Sequence, residues 1–308
     1  MFDIVTVGSA TLDIFLRSPE FKIRGKGKEK LVLEGGKLEV EKALVSSGGG
    51  GTNTAAGFSR LGFRTACVAR LGDDLTGKWL ASELAQEKFT KKYLRRIKGE
   101  ITDSSVILLS PAGKRVILVS RGGTRVDESI FPFGILKKTR WLYIASVEGN
   151  IIFLKKIIKE ALRFNVRVVL NPGSRELAEK KSLAKIFSQV EVLVLNQEEA
   201  ISFWGKDFSS KMASSGAKTT VVTCGQAGAY LHQDNRTIKS GIIKVNTIDT
   251  TGAGDAFSVG LVAGLMWGYS SQKALRLGMA ESASVVSMVG AKTRLLNKGK
   301  LMALIKIN

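Results

Sequence analysis

Histidine occurs once in the 308 residues, at His232, and cysteine only twice, at Cys67 and Cys224. A serine-type triad needs a histidine held by a carboxylate, and a single histidine in a polar segment gives little to build on. A Cys/His metal site is equally short of ligands. Both cysteines sit in apolar, strand-like runs, which marks them as buried thiols of a reducing compartment rather than a disulfide. Proline is scarce, with four in the chain. No Pro-rich linker, internal repeat or low-complexity tract divides the sequence, so one domain over 1–308 is expected. Long apolar runs are missing too: the best candidate, Ala256 to Trp267, is too short to span a bilayer and includes Ser258. The start "MFDIVTVGSATLD" has no basic stretch and no cleavage-like site. It reads as a first strand, and a cytoplasmic location with no membrane partner is expected.

Acidic residues are the other shortage, 27 against 47 Lys and Arg, for a formal net charge of +20. The excess is concentrated in "KIRGKGKEK" (22–30), "KKYLRRIK" (91–98), "KKTR" (137–140) and "KKIIK" (155–159). In an extended segment Lys22, Arg24, Lys26, Lys28 and Lys30 would share one face. A basic surface attracts polyanions. None of these runs, however, carries the aromatic interleaving or motif of a nucleic-acid reader, so they read as solvated surface. Nucleic acid is not an expected partner. A non-catalytic nucleic-acid-binding protein is the alternative that the charge alone would favour.

The chain alternates strand and helix patterns. "FDIVTVGSA", "RTACVARLG", "WLYIASV" (141–147), "VRVVLNP" (166–172), "VEVLVLNQ" (190–197) and "TTVVTCG" (219–225) are apolar, β-rich runs. Helical patterns such as "GTNTAAGFSRLG" and "DLTGKWLASELAQEK" lie between them. Near-continuous apolar strands separated by helices give an α/β fold, a doubly wound, mostly parallel sheet flanked by helices. Two insertions break the rhythm, at about 14–40 and 100–124. They hold "DIFLR", "EKLVLE", "DSSVILLS" and "KRVILVS", the last two joined as a hairpin through "PAGK". These four runs predict a small separate β-sheet, placed as a lid.

Three motifs carry chemistry. "DTTGAGDAFSVGLVAGL" (249–265) sets Gly252 and Gly254 ahead of Asp255, then places Phe257, Leu261 and Leu265 four apart. That is a glycine loop running into a helix, whose unpaired N–H groups favour an anion. Asp255 could cap the helix or act on the anion, and with so little histidine it is the strongest candidate for a general base. "SGGGGTNTA" (47–55) is a glycine turn into a helix that offers the Asn53 amide. "VLNQEEA" (194–200) places Asn196 and Glu199 at a strand end and a helix's first turn, which also fits plain helix capping. "GDDLTGKW" (72–79) has the spacing of a phosphate loop, but Trp79 stands where a Mg²⁺-binding hydroxyl is needed, so that reading is rejected.

Together these residues resemble the ribokinase-like sugar kinases of the PfkB family, over nearly the whole chain. "DTTGAGD" (249–255) is similar to the family's C-terminal signature, "GGGGTN" (48–53) to its Gly-Gly motif ending in Asn, and "NQEE" (196–199) to its Asn-x-x-Glu element. The resemblance implies a ribokinase-like fold and ATP-dependent phosphorylation of a hydroxyl on a small sugar of ribose or fructose type. In that reading Asp255 is the base and Gly252, Ala253 and Gly254 form the anion hole. Asp13, Gly48, Gly49 and Asn53 hold the sugar. Asn196, Thr223, Gly225 and Gly228 belong to the nucleotide site, Glu199 acts on Mg²⁺ through water, and Asp249 and Thr251 could serve a monovalent cation such as K⁺. A homodimer through the lid is a further expectation. Gly50 stands where ribokinases proper often carry Lys, and Glu281 and Ser282 where relatives offer an Asn near the adenine. A nucleoside kinase, or a sugar-phosphate or sugar-acid kinase of the same fold, is the alternative acceptor reading.

Overall fold

The computed structural model describes residues 1–24, 30–32, 36–111 and 115–307. In chain order the strands are β1 (Phe2–Val7), β2 (Thr11–Arg17), β3 (Lys22–Arg24), β4 (Lys30–Val32), β5 (Lys42–Gly48), β6 (Thr65–Gly72), β7 (Leu94–Ile97), β8 (Ser104–Leu109) and β9 (Arg115–Ser120). They continue as β10 (Thr139–Ile144), β11 (Arg167–Leu170), β12 (Val192–Asn196), β13 (Thr219–Thr223), β14 (Ala229–Gln233) and β15 (Arg236–Ser240). The helices are α1 (Gly50–Arg60), α2 (Leu75–Ala85), α3 (Ile151–Arg163), α4 (Ser174–Ala178) and α5 (Lys180–Phe187). They are followed by α6 (Gln197–Trp204), α7 (Phe208–Lys211), α8 (Ala253–Met266), α9 (Ser271–Val285) and α10 (Lys298–Ile307).

The main sheet has nine strands in the order β15-β14-β13-β12-β11-β10-β1-β6-β7, parallel except for β14 and β15. Alternation along its strands serves two cores. Val5, Val7, Leu142 and Ile144 pack with Phe153 and Leu154 of α3 and Leu183 of α5. Their neighbours Ile4, Trp141 and Tyr143 pack with Phe257 and Leu261 of α8 and Leu277 of α9. This burial on both faces is why the strands read as continuous apolar runs. The apolar run after Asp255 is α8, buried in the protein against α9. An added Cβ at Gly260 would lie 2.4 Å from the Leu277 carbonyl oxygen, so the glycine sets how closely the two helices approach. Among the described residues no helix is long and apolar enough to cross a membrane.

A second sheet, β5-β2-β8-β9, leaves the main sheet where β1 ends and returns to it at α1. It is mixed: β2 pairs antiparallel with β5 but parallel with β8, and β8 and β9 form the expected hairpin. One of its strands differs from expectation. "EKLVLE" supplies β4, which pairs with β3 in a separate two-stranded ribbon, and the fourth lid strand is β5. The sequence of β5, "KALVSSG", is too short of large apolar residues to stand out, and its pairing with β2 creates the strand. Of the alternating basic run, Lys26 and Lys28 lie outside the described residues, as does most of "PAGK". His232 lies within β14, where its Nδ1 is 3.0 Å from the Thr237 hydroxyl. Cys67 and Cys224 are free, buried thiols.

Candidate active site

Strand order reverses beside β1. From there the chain builds toward β6 and β7 on one side and, after the lid, toward β10 to β13 on the other. Ligands of open α/β sheets bind in the crevice at the carboxyl ends of such a pair. The glycine run fits α1 into that crevice. An added Cβ at Gly51 would lie 2.8 Å from the Gly8 backbone, and one at Gly50 would lie 2.9 Å from the Ala145 Cβ and 3.6 Å from Asp255 Oδ1. A Cβ at Gly48 would fall 1.9 Å from Asp13 Oδ2, and Gly49 has a φ of 93°. Here the backbone must come close to a carboxylate and turn left-handed, which only glycine does at low cost.

Asp13 of β2 is buried, 7% exposed. Its Oδ1 accepts from the Ser105 hydroxyl at 2.7 Å and the Thr11 hydroxyl at 3.0 Å. Burial pushes its carboxyl above the usual range, while those hydrogen bonds and the nearby Lys292 oppose the shift. Asn53, in the second turn of α1, donates through Nδ2 to Asp255 Oδ2 at 2.8 Å, joining positions 202 apart in sequence. Asp255 lies in the first turn of α8, and burial raises its carboxyl pKa against the pull of Asn53 and Lys292.

Gly252 caps α8 with a φ of 76°, and the added Cβ there would be 2.4 Å from the Ala291 Cβ. Of the three expected anion-hole donors, Ala253 turns its N–H toward the Thr250 carbonyl at 3.3 Å. Gly252 and Gly254 have no acceptor for theirs among the described residues. Nothing lies within 4 Å of the position a Cβ would take on Gly254, so the helix mouth opens onto free space. A cleft of about 300 Å³ fills that space, lined by Asn196, Glu199, Thr223, Thr251, Gly252, Gly254 and Asp255, with Arg115 of the lid opposite.

Residues 1–298 match the pfkB family carbohydrate kinases. The chain belongs to that family. A 6-phosphofructokinase from Thermoanaerobacterium thermosaccharolyticum, described as ATP-dependent, is 25% identical over 304 residues, covering 94% of this chain and 89% of the relative. The Arabidopsis thaliana ribokinase complexed with ribose and ATP superposes with a TM-score of 0.81 at 22% identity, covering 100% of this chain and 99% of the other. The Burkholderia thailandensis nucleoside kinase in complex with inosine gives 0.80 at 18% identity, covering 99% and 98%. As a pfkB family member the protein is a phosphotransferase with an alcohol group as acceptor.

The remaining expected residues are distributed around the cleft of this kinase. Asn196 and Glu199 form a capping box on α6: Asn196 Oδ1 accepts from the Glu199 N–H at 2.9 Å and Glu199 Oε2 from the Asn196 N–H at 2.8 Å. Both also line the cleft, so capping and a half-buried carboxylate beside the cleft are features of the same residues. Burial raises the Glu199 pKa. An apolar slot of about 240 Å³ adjoins the cleft at Thr250 and takes in Gly225, Met279, Ser282, Ala283 and Val286. Gly228 lines neither space. Its φ of 89° and the Ser240 carbonyl, 2.0 Å from an added Cβ, make it a turn residue of the β13–β14 link. Glu281 stays out of the slot as well. It is fully buried with its pKa pushed up to about 8 by burial, and its Oε1 accepts from the Leu296 N–H at 2.8 Å. Asp249 Oδ1 accepts from the Thr251 N–H and hydroxyl, and its Oδ2 from the Gly290 N–H.

"GDDLTGKW" forms no phosphate loop. Asp74 caps α2 by accepting from the Gly77 N–H at 2.7 Å, and Lys78 is exposed. Two residues of the site escape sequence reasoning. Arg115 starts β9 and contacts the Thr250 hydroxyl. Lys292 is 7% exposed beneath Asn53. Arg115 belongs to "KRVILVS", a run that marks a lid strand without marking its arginine, and Lys292 lies in "GAKTR", which carries no motif.

Proposed function

We propose that this kinase transfers the γ-phosphoryl group of ATP to a hydroxyl of a small sugar of ribose or fructose type. The observation that carries the reading is the Asn53–Asp255 hydrogen bond of 2.8 Å. It brings the sugar-side motif, with Asp13, Gly48 and Gly49, against a carboxylate at the mouth of α8. The sugar hydroxyl lies against Asp255, which takes its proton as the oxygen attacks the γ-phosphorus. The bond from that phosphorus to the bridging oxygen breaks, and ADP leaves. The unpaired N–H groups of Gly252 and Gly254, with the positive end of α8 behind them, stabilise the charge on the transferring group. Movement of Ala253 away from Thr250 would add a third donor. Positioning of this kind supplies most of the catalysis in phosphoryl transfer.

The apolar slot beside Gly225 suits the adenine, with Thr223 between base and phosphates. Among the described residues no group of three or more His, Cys, Asp or Glu side chains could hold a metal. That fits Mg²⁺ carried by the phosphates and held through water by Glu199 beside Asn196, since Mg²⁺ keeps several waters and needs few protein carboxylates. When bound it would neutralise charge on the phosphates. K⁺ at Asp249 and Thr251 enters no step here, because three of the roughly four acceptor positions of that carboxylate already receive protein donors.

A panel of neutral sugars, sugar phosphates, sugar acids and nucleosides, assayed with Mg-ATP, tests the acceptor class. The expected result is the highest kcat/KM for a neutral pentose or hexose. Turnover of nucleosides alone would replace that acceptor with the one suggested by the inosine-bound neighbour. The lid also exposes Val45 and Leu118, which the strand register sets on the face opposite the cleft-lining Ile117, and these apolar side chains support pairing with a second copy's lid. Light scattering should give a dimer mass at micromolar concentration, and a monomer mass would exclude that pairing.

A further inference from the structure

Lys292 is a buried lysine in the loop between α9 and α10, and the mechanism above makes no use of it. Its Nζ donates to the Ser47 carbonyl at 2.5 Å and to Asn53 Oδ1 at 3.0 Å. Its own carbonyl accepts from Arg60 Nη1 at 2.7 Å, and Arg60 is held in turn by Glu87 at 2.6 Å. The backbone of Lys292 is thus tied to the end of α1 while its head reaches Ser47 and the amide of Asn53. No carboxylate forms an ion pair with it among the described residues. The charged groups that face it are Glu83 of α2, Asp13 of β2, Glu87 after α2 and Asp255 of α8. One oxygen of Glu83 is buried without a hydrogen-bond partner.

We propose that Lys292 is a positioning residue, which fixes the Asn53 amide so that its N–H faces Asp255 and which helps hold that carboxyl ionised. This rests on the reading of Asp255 as the base. The argument is one of donor and acceptor count. An ammonium has donors only, so the end of the amide that meets it must be Oδ1. The Nδ2 end then points at Asp255 and has to donate. A donor aimed at a carboxylate favours its charged form, and so does a positive charge behind that donor. Without Lys292 only the Asp255 carboxylate, which favours the N–H end while it is ionised, orients the Asn53 amide. Turned, it would set its oxygen against the Asp255 carboxylate and favour the protonated acid, which cannot act as a base.

The buried ammonium is costly to the fold. Burial lowers its pKa from the ordinary lysine value of 10.5 to about 8, against the pull of the four carboxylates. Between these two values the unfolded chain holds the proton and the folded one does not, so stability rises with pH across that window. Below about pH 8 the penalty is present in full. Lys292→Met also takes the donor from the Ser47 carbonyl and Asn53 Oδ1, so the shift is read from the slope: the rise in melting temperature from about pH 8 to about pH 10 should be present in wild type and lost in the variant.

The test follows the Asp255 carboxyl by ¹³C NMR, alongside kcat against pH, in wild type, Lys292→Met and Lys292→Arg. In Lys292→Met the carboxyl titration and the acid limb of kcat should both move up by about one pH unit, as expected for losing a nearby opposite charge. Lys292→Arg, which keeps a donor-only cation, should hold both closer to wild type and lose the fall in rate expected above about pH 8. Wild type alone gives a check that needs no variant: the Asp255 resonance should show a second inflection where Lys292 titrates. Superimposable carboxyl titrations in wild type and Lys292→Met, or no such inflection in wild type, would overturn the proposal. Full turnover by Asp255→Asn would instead sink the base assignment, and the NMR titration would still report whether the two groups are coupled.

Discussion

Asp255→Asn is expected to lower kcat by ~10²–10⁴-fold, the usual contribution of a general acid–base group. The substitution keeps the shape of the side chain, and its amide oxygen can still accept from Asn53 Nδ2, now 2.8 Å from Asp255 Oδ2. ATP affinity should be held, because a negative charge beside the phosphates is removed and none of the N–H groups at the mouth of α8 is touched. Stability separates this outcome from general damage. Burial raises the Asp255 pKa in the folded state above its ordinary 3.8. Between those values the folded chain binds more protons than the unfolded one, so the ionised carboxylate destabilises the fold at neutral pH. Asp255→Asn should therefore melt at a higher temperature than wild type at pH 7, and the difference should shrink as pH falls through the folded pKa. A kcat within about tenfold of wild type would remove Asp255 from the role of base.

Gly252→Ala should be nearly as damaging, for two reasons that add. The residue sits at a φ of 76°, and its new Cβ would meet the Ala291 Cβ at 2.4 Å. Left-handed backbone costs a non-glycine residue roughly 1–2 kcal/mol, and overpacking typically adds about 1–3 kcal/mol. Relief of that clash must shift the loop that supplies the N–H donors, and loss of one such donor costs ~10²-fold or more in kcat. Gly254→Ala is the informative partner. Its Cβ meets nothing within 4 Å and replaces a glycine in the first turn of a helix, so stability should hold or rise. The methyl group would nonetheless project into the space assigned to the transferring phosphoryl group, and kcat should fall. Denaturant midpoints and kcat for the two variants check this pair. If Gly254→Ala kept full activity, the phosphoryl group would have to lie elsewhere.

The main sheet was legible because its strands are buried on both faces, as in "VEVLVLNQ" and "WLYIASV", and because glycine and asparagine mark the turns between them. The hairpin of β8 and β9 was legible from the turn between two apolar runs. β5 was not, since "KALVSSG" has small and polar residues and becomes a strand only by pairing along β2 from Thr11 to Arg17. β7 was hidden for a related reason: "LRRI" lies in a basic run, and its pairing with β6 is what extends it. In the site, Asp255, Gly252 and Asn53 stood out because their chemistry needs a local pattern. Their meeting across 202 positions did not. Lys292 shows the limit most clearly. "GAKTRLLNK" gives no local sign that its lysine is buried, and the direction of that side chain is set by Arg60 gripping its carbonyl.

Asp255 and the helix mouth behind it make one claim about chemistry: a phosphoryl group passes directly from ATP to an alcohol. The most direct test is to quantify ADP and phosphorylated acceptor together, for wild type and Asp255→Asn, with the best substrate of the panel. The account predicts equal amounts of the two products from wild type, almost none from the variant, and little ADP when the acceptor is left out. ADP formed at the same rate without acceptor, or equal product from Asp255→Asn, would contradict it.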